Sequence, residues 1–130
     1  MTEMLTFIGR CLLATIFLVS GVRKILAFGA VSGMMAGKGF PMSDLFLVAT
    51  IALEILGGLM LVANWQARAA ALALAAFTLA AGSIFHGFWW HFDAPPPQFS
   101  NELNHFLKNI AIVGGLLMVA AGSTGDGKRA

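Results

Sequence analysis

The sequence predicts an all-α protein, a four-helix transmembrane bundle with antiparallel neighbours. Composition is the first reason: 58% of the 130 residues are hydrophobic and 11% are charged, against roughly 25% charged in soluble domains. The second is that the apolar residues gather into four runs near bilayer length, at about 4–28, 45–63, 67–90 and 103–122. The third is the Gly and Ala content, with Gly at 15 positions, which suits close helix packing in lipid. One domain over 1–122 follows, with a polar tail at 123–130.

Each element has its own signals. The first run opens without a basic segment, and Arg10 interrupts its apolar stretch. It therefore reads as a retained helix and not as a cleaved signal peptide. The link at 29–43 holds Gly33, Gly37, Gly39 and Pro41, with room for a short helix at 31–36. Ser43 or Asp44 is placed to cap the second helix. The link at 64–66 is tight and makes the second and third helices antiparallel neighbours. The link at 91–102 contains Pro95, Pro96 and Pro97, a stiff extended segment, and Ser100 or Asn101 suits the N-cap of the fourth helix.

Segments 55–63 and 112–120 echo each other around Gly57-Gly58 and Gly114-Gly115. A duplicated helical hairpin would explain the echo and would bring the second and fourth helices together at those glycines. Convergence of apolar helices on Gly and Leu is the simpler explanation and the preferred one. Arg68, Lys128 and Arg129 fall on the side of the termini and Lys38 on the other, which places both termini in the cytoplasm. Arg23, Lys24 and Lys108 lie toward the opposite face and are read as bundle or boundary residues.

Several function classes are excluded or disfavoured. A net charge of +2 with scattered basic residues offers no nucleic-acid face. A single cysteine, Cys11, rules out an internal disulfide, a redox pair or an iron–sulfur set within the chain. No metal-ligand set is visible. Two histidines could hold a haem, but no other haem signature accompanies them.

The informative residue is Glu54, a carboxylate in the middle of the apolar run 45–63. A helix of that run is about 28 Å long. A charge at such a depth costs roughly 2.5–3.5 kcal/mol on insertion scales, so it must face protein and have a partner. Arg10, Lys24 and Lys108 are the cations inside apolar runs. Arg10, Ala14, Phe17, Gly21 and Lys24 recur three or four apart and share one helix face. Glu54 shares a face with Gly57 and Gly58, Lys108 with Gly115, and His86 with Gly82 and Trp90. Gly21, Gly57, Gly58, Gly82, Gly114 and Gly115 are the expected close-packing positions. Counting rises places Lys24, His86, Lys108 and Asn109 together above Glu54, with Arg10 reaching it from below.

Three cations against one carboxylate leave an excess of two positive charges. Either the lysines snorkel and an Arg10–Glu54 pair merely fixes helix packing, or an anionic or carbonyl-bearing ligand offsets the excess. His86 is the best site candidate among His86, His91 and His105, which all lie near one boundary. Trp89 and Trp90 read first as an interfacial belt and second as a stacking wall for a flat ring.

These residues, taken in order, resemble the DoxX family of small bacterial membrane proteins. The resemblance is carried by Gly9-Arg10, Phe17-Leu-Val-Ser-Gly21 with Lys24, Gly39-Phe-Pro41, Leu53-Glu54 with Gly57-Gly58, and Arg68. It continues through Phe85-His86 with Phe88-Trp89, and Phe106-Leu-Lys108-Asn109 with Gly114-Gly115. It implies a multi-pass protein of the bacterial inner membrane. The family is named for a subunit linked to thiosulfate:quinone oxidoreduction, so quinone is the cofactor class implied.

Three functions remain in competition. The chain is a membrane subunit of a quinone-linked oxidoreductase, binding a quinone or small anion and taking electrons from a soluble or membrane redox partner. If it takes part in catalysis, it does so as a non-autonomous subunit without its own redox centre. Alternatively it is a non-catalytic anchor or scaffold for a partner enzyme. The third reading is a small-solute or lipid-handling protein, for which four short helices would need a homo-oligomer to form a pore.

Overall fold

The fold was obtained as a computed structural model that describes residues 2–39, 41–85 and 96–122. The described elements are all helical: α1 Thr2–Leu26, α2 Phe28–Gly37, α3 Ser43–Ala63, α4 Ala67–Phe85 and α5 Pro96–Ala121. The all-α expectation holds, but the count differs. Among the described residues, three helices are long and apolar enough to cross a bilayer: Thr2–Leu26, Ser43–Ala63 and Phe99–Ala121. The apolar part of α4, Ala67–Ser83, is shorter, and the end of its expected run, 86–90, lies outside the described residues. A fifth helix, α2, occupies the first link.

α1 carries Glu3 in its first turn and Arg23 and Lys24 in its last, the polarity that the helix dipole favours. It buries Arg10, Ala14, Phe17 and Gly21, most of the stripe read from the sequence. α3 does not start on a side-chain cap: its N-cap is Met42, in the left-handed region at φ 53°. Ser43 and Asp44 are drawn away instead. The Ser32 hydroxyl of α2 donates to an Asp44 carboxylate oxygen and lies 3.0 Å from Ser43 Oγ. A tertiary partner thus outcompetes the local cap and ties α2 to the start of α3. The tight link to α4 turns on two left-handed residues, Asn64 (φ 54°) and Gln66 (φ 49°); Asn tolerates that conformation better than most.

The prolines are corrected too. α5 begins at Pro96, so Pro97, Ser100 and Asn101 lie inside it and cap nothing. A helix's first turn has no internal partner for its N–H groups, so proline loses nothing there. Pro95 lies outside the described residues.

α1 runs antiparallel to α3, with Gly21 against Glu54 and Ile55, and Gly58 against Leu18 and Ala14. α3 meets α4 at Gly57 and Leu74, α4 meets α5 at Gly82 and Asn109, and α5 returns to α1 at Gly115 and Leu13. The four long helices therefore close in the order α1, α3, α4, α5, and α3 and α5 lie on a diagonal, with no described Cα atoms of the two within 8 Å. The expected meeting of Gly57-Gly58 with Gly114-Gly115 is overturned. Gly58 and Gly115 instead face α1 from two sides, and Gly114 faces nothing.

The core is a cluster of Ala14, Phe17, Leu61, Ala67, Ala70, Ala71, Leu74, Ala75, Leu116, Val119 and Ala120. It lies at the end of the bundle where α1 begins and α3 ends. Large apolar side chains such as Leu12 (69% exposed) and Met118 (78%) cover the outside, as expected for a surface solvated by acyl chains.

Candidate functional site

The Glu54 carboxylate is paired, and its partner is Lys24. Lys24 Nζ lies 2.6 Å from Glu54 Oε1, with the two side chains 24% and 4% exposed. The close approach has a cause in the backbone. Gly21 presses against Glu54 Cβ and Ile55, and any Cβ at that position would lie 2.5 Å from Ile55 Cδ1. Removing the side chain one turn before Lys24 brings α1 close enough for its ammonium to reach α3. The ammonium also sits 5.4 Å from the centre of the Phe77 ring on α4, within cation–π range.

Arg10 does not reach Glu54. Its Nε donates to the Leu61 carbonyl at 2.9 Å, near the C-terminus of α3, and its guanidinium carbon stands 5.7 Å from the Phe7 ring centre. The last carbonyls of a helix lack internal partners and carry partial negative charge. Leu61 also accepts the Asn64 backbone N–H at 3.3 Å, so the buried arginine is its second donor and ties α1 to the end of α3.

Of the four groups expected above Glu54, Lys24 and Asn109 are there. Lys108 is not: it is exposed on α5. Successive residues of a helix point about 100° apart, so only one of the two neighbours could face inward, and Asn109 does. His86, Trp89, Trp90 and His91 lie outside the described residues. His105 is exposed on α5. The expected interior surplus of two positive charges falls to one. Lys108 is outside, Lys24 pairs with Glu54, and Arg10 stays buried with a carbonyl as its hydrogen-bond partner. No three His, Cys, Asp or Glu side chains converge as metal ligands among the described residues.

Beside the ion pair lies a cavity of about 170 Å³, lined by Ile16, Phe17, Ser20, Lys24, Glu54, Phe77, Thr78, Ala81, Asn109 and Ile112. Its polar groups come from all four long helices. Thr78 matters most. It is 6% exposed, and its hydroxyl oxygen has no hydrogen-bond partner. A helical threonine commonly satisfies its hydroxyl on the preceding turn; this one does not, and its residue lines the cavity. Asn109 packs its amide into the space left by Gly82, where a Cβ would lie 2.7 Å from Asn109 Nδ2. The small cavity adjoins a larger cleft of about 620 Å³ beneath α2, which shares Ser20, Lys24, Phe77 and Ala81 and adds Met34, Met35 and Glu102.

Thr78 and Ser20 were missed in the sequence. Both had a signal. Ser20 precedes Lys24 by one turn, and Thr78 precedes Gly82 by one turn, in runs otherwise apolar. A hydroxyl in line with a buried charge or a packing glycine is a candidate for the same interior face. The Ser32–Asp44 tie had no signal, because it joins two elements through a link whose course the sequence did not indicate.

Comparison with known proteins supports the membrane reading. Inner membrane protein YphA of Escherichia coli (strain K12) is 30% identical over 123 residues, covering 95% of this chain and 84% of that protein. Inner membrane protein YqjF of the same organism is 33% identical over 122 residues, covering 92% of this chain and 83% of its own. No solved structure matches the chain at a significant level. The family match falls on residues 5–87, which include Arg10, Lys24, Glu54 and Thr78, and with it the chain belongs to the DoxX family of membrane proteins.

Proposed function

We propose that this chain is an integral subunit of the bacterial inner membrane, with cytoplasmic termini, whose polar cavity binds the ring of a quinone for an oxidoreductase partner. The observation that carries this reading is the unpartnered Thr78 hydroxyl, buried in a cavity with Asn109 and the Lys24–Glu54 pair. An unsatisfied buried hydroxyl costs about 1–3 kcal/mol. A ligand oxygen that accepts its proton removes that cost. Thr78 and Asn109 supply neutral donors, Phe77 and Phe17 supply apolar walls, and the neutral ion pair leaves no net charge to attract an anion. A flat neutral ring with carbonyl oxygens fits this chemistry better than a small oxyanion. Lys24, hydrogen-bonded to Glu54, is a further donor on the cavity wall. Electrons come from the partner.

The test is a titration of the purified chain in nanodiscs with a short, water-soluble benzoquinone. Saturable binding is expected, weakened about tenfold by Thr78→Val or Asn109→Leu, the loss of one good hydrogen bond. Lys108→Ala should leave it unchanged. No saturable binding by the unsubstituted protein would reject the proposal and leave the scaffold reading.

A further inference from the structure

By its own sequence α2 is a poor helix. Gly29, Gly33 and Gly37 are three of its ten residues, and each glycine costs a helix about fivefold in its folding equilibrium relative to alanine. Packing does not offset that cost at these positions, because a Cβ added at any of the three would meet nothing within 4 Å. Its N-cap residue, Ala27, leaves the helical region at φ −115° and makes no side-chain cap. Beyond its other end, Gly39 (φ 90°) and Met42 (φ 53°) stand in the left-handed region. The helix buries Ser32 and Met35, and none of its Cα atoms lies within 8 Å of one in α4 or α5. Yet its Val31, Met34 and Met35 line the cleft of about 620 Å³ together with Lys24, Leu47 and Thr50.

A polar tie holds α2 to α3. The Ser32 hydroxyl, on a residue only 7% exposed, donates to the Asp44 carboxylate and lies 3.0 Å from Ser43 Oγ. Both partners belong to the first turn of α3. We propose that α2 is a hinged cover over the cleft, which opens about Ala27 and Gly39–Met42 while the four long helices stay packed, with Ser32, Ser43 and Asp44 as its latch. Segments that open at low cost are those with few buried apolar contacts and little intrinsic stability, and α2 has both marks. The latch joins side chains of two elements, so it breaks without unfolding α3. Opening bares Leu47, which is fully buried in the closed form, and the cleft side of Lys24. Water or a ligand then reaches the ammonium that pairs with Glu54. The cover is independent of the ring site: it acts on the cleft whether or not a quinone binds.

The experiment labels a cysteine beneath α2 with a hydrophilic maleimide, using the full chain in nanodiscs and a Cys11→Ser background. Leu47→Cys is the reporter. Leu116→Cys, equally buried but in the core at the other end of the bundle, reports any general loosening. Where opening is fast relative to labelling, the labelling rate follows the open population. Ser32→Ala removes the bond to a charged carboxylate and should raise labelling of Leu47→Cys about tenfold. Gly33→Ala adds helix preference in open space and should lower it about fivefold. Labelling of Leu116→Cys should stay the same in all three backgrounds. Failure of either substitution to shift labelling of Leu47→Cys, or a parallel shift at Leu116→Cys, would overturn the cover. Amide hydrogen exchange in residues 30–37, read in chains without a reporter cysteine, should follow the same order, with Ser32→Ala fastest and Gly33→Ala slowest. That measurement stands in if Leu47→Cys does not fold, and equal exchange in the three chains would overturn the cover as well.

Discussion

The two ends of this bundle treat their buried cations differently. At one end, where α3 finishes beside a core of small side chains such as Ala67, Ala70 and Ala71, buried Arg10 spends its Nε–H on the Leu61 backbone carbonyl. At the other, Lys24 lines both the small cavity and the cleft and pairs with a carboxylate. The cause is side-chain size on α4. Its first half supplies Ala67, Ala69, Ala70, Ala71, Ala73 and Ala75, which let α3 and α5 approach closely. Its second half supplies Phe77 and Thr78, and α2 covers the top without filling it. One end is filled by small side chains and the other holds polar cavities.

The largest expected effect breaks the comparison at Glu54. Glu54→Leu leaves Lys24 without its counter-charge and should destabilise the fold by about 3–5 kcal/mol. The double variant Lys24→Met, Glu54→Leu should recover most of that, measured by unfolding in mixed micelles followed by circular dichroism. A double variant as unstable as the single one would show that the pair does more than neutralise itself. Next is Arg10→Met at the closed end, expected to cost about 1.5–3 kcal/mol, the worth of a charged hydrogen bond. A smaller loss than for an exposed control such as Arg68→Met would contradict its tie to the end of α3.

Thr78→Val sharpens the contrast, because it separates binding from stability. Valine has the same shape without the unsatisfied hydroxyl, so the unliganded fold should hold or gain up to about 1 kcal/mol while ring binding falls. A clear loss of stability would mean that the hydroxyl has a partner in the protein. The smallest effect concerns the glycines. Gly114→Ala meets nothing within 4 Å and should stabilise α5 by up to about 1 kcal/mol, the propensity difference. Gly58→Ala places a methyl 2.8 Å from Leu18 Cδ2 and should forfeit that gain. Equal melting temperatures for the two variants would remove the distinction drawn between the paired glycines.

Much of this was legible in the residues. The spacing of Arg10, Ala14, Phe17 and Gly21 announced a buried face of α1, and that face is buried. Glu54 announced a partner, and it has one. Which cation would pair was not legible, since Arg10, Lys24 and Lys108 all satisfied the same charge argument. The choice between Lys108 and Asn109 turned on the rotation of α5 about its axis. The run of prolines misled because the same three residues suit an extended segment or a helix start, and only the continuation of α5 distinguishes them.

By itself the chain determined its solvent and its secondary structure. Long apolar runs must be helical in lipid, where every backbone polar group needs an internal partner. The tertiary structure alone decided the pairing of Lys24 with Glu54, the diagonal placing of α3 and α5, and the hollow around Thr78. These depend on helix rotation and on distances of a few ångströms between elements far apart in sequence. Hydrophobic pattern constrains such distances weakly when every face of a helix is apolar, and side-chain packing sets them.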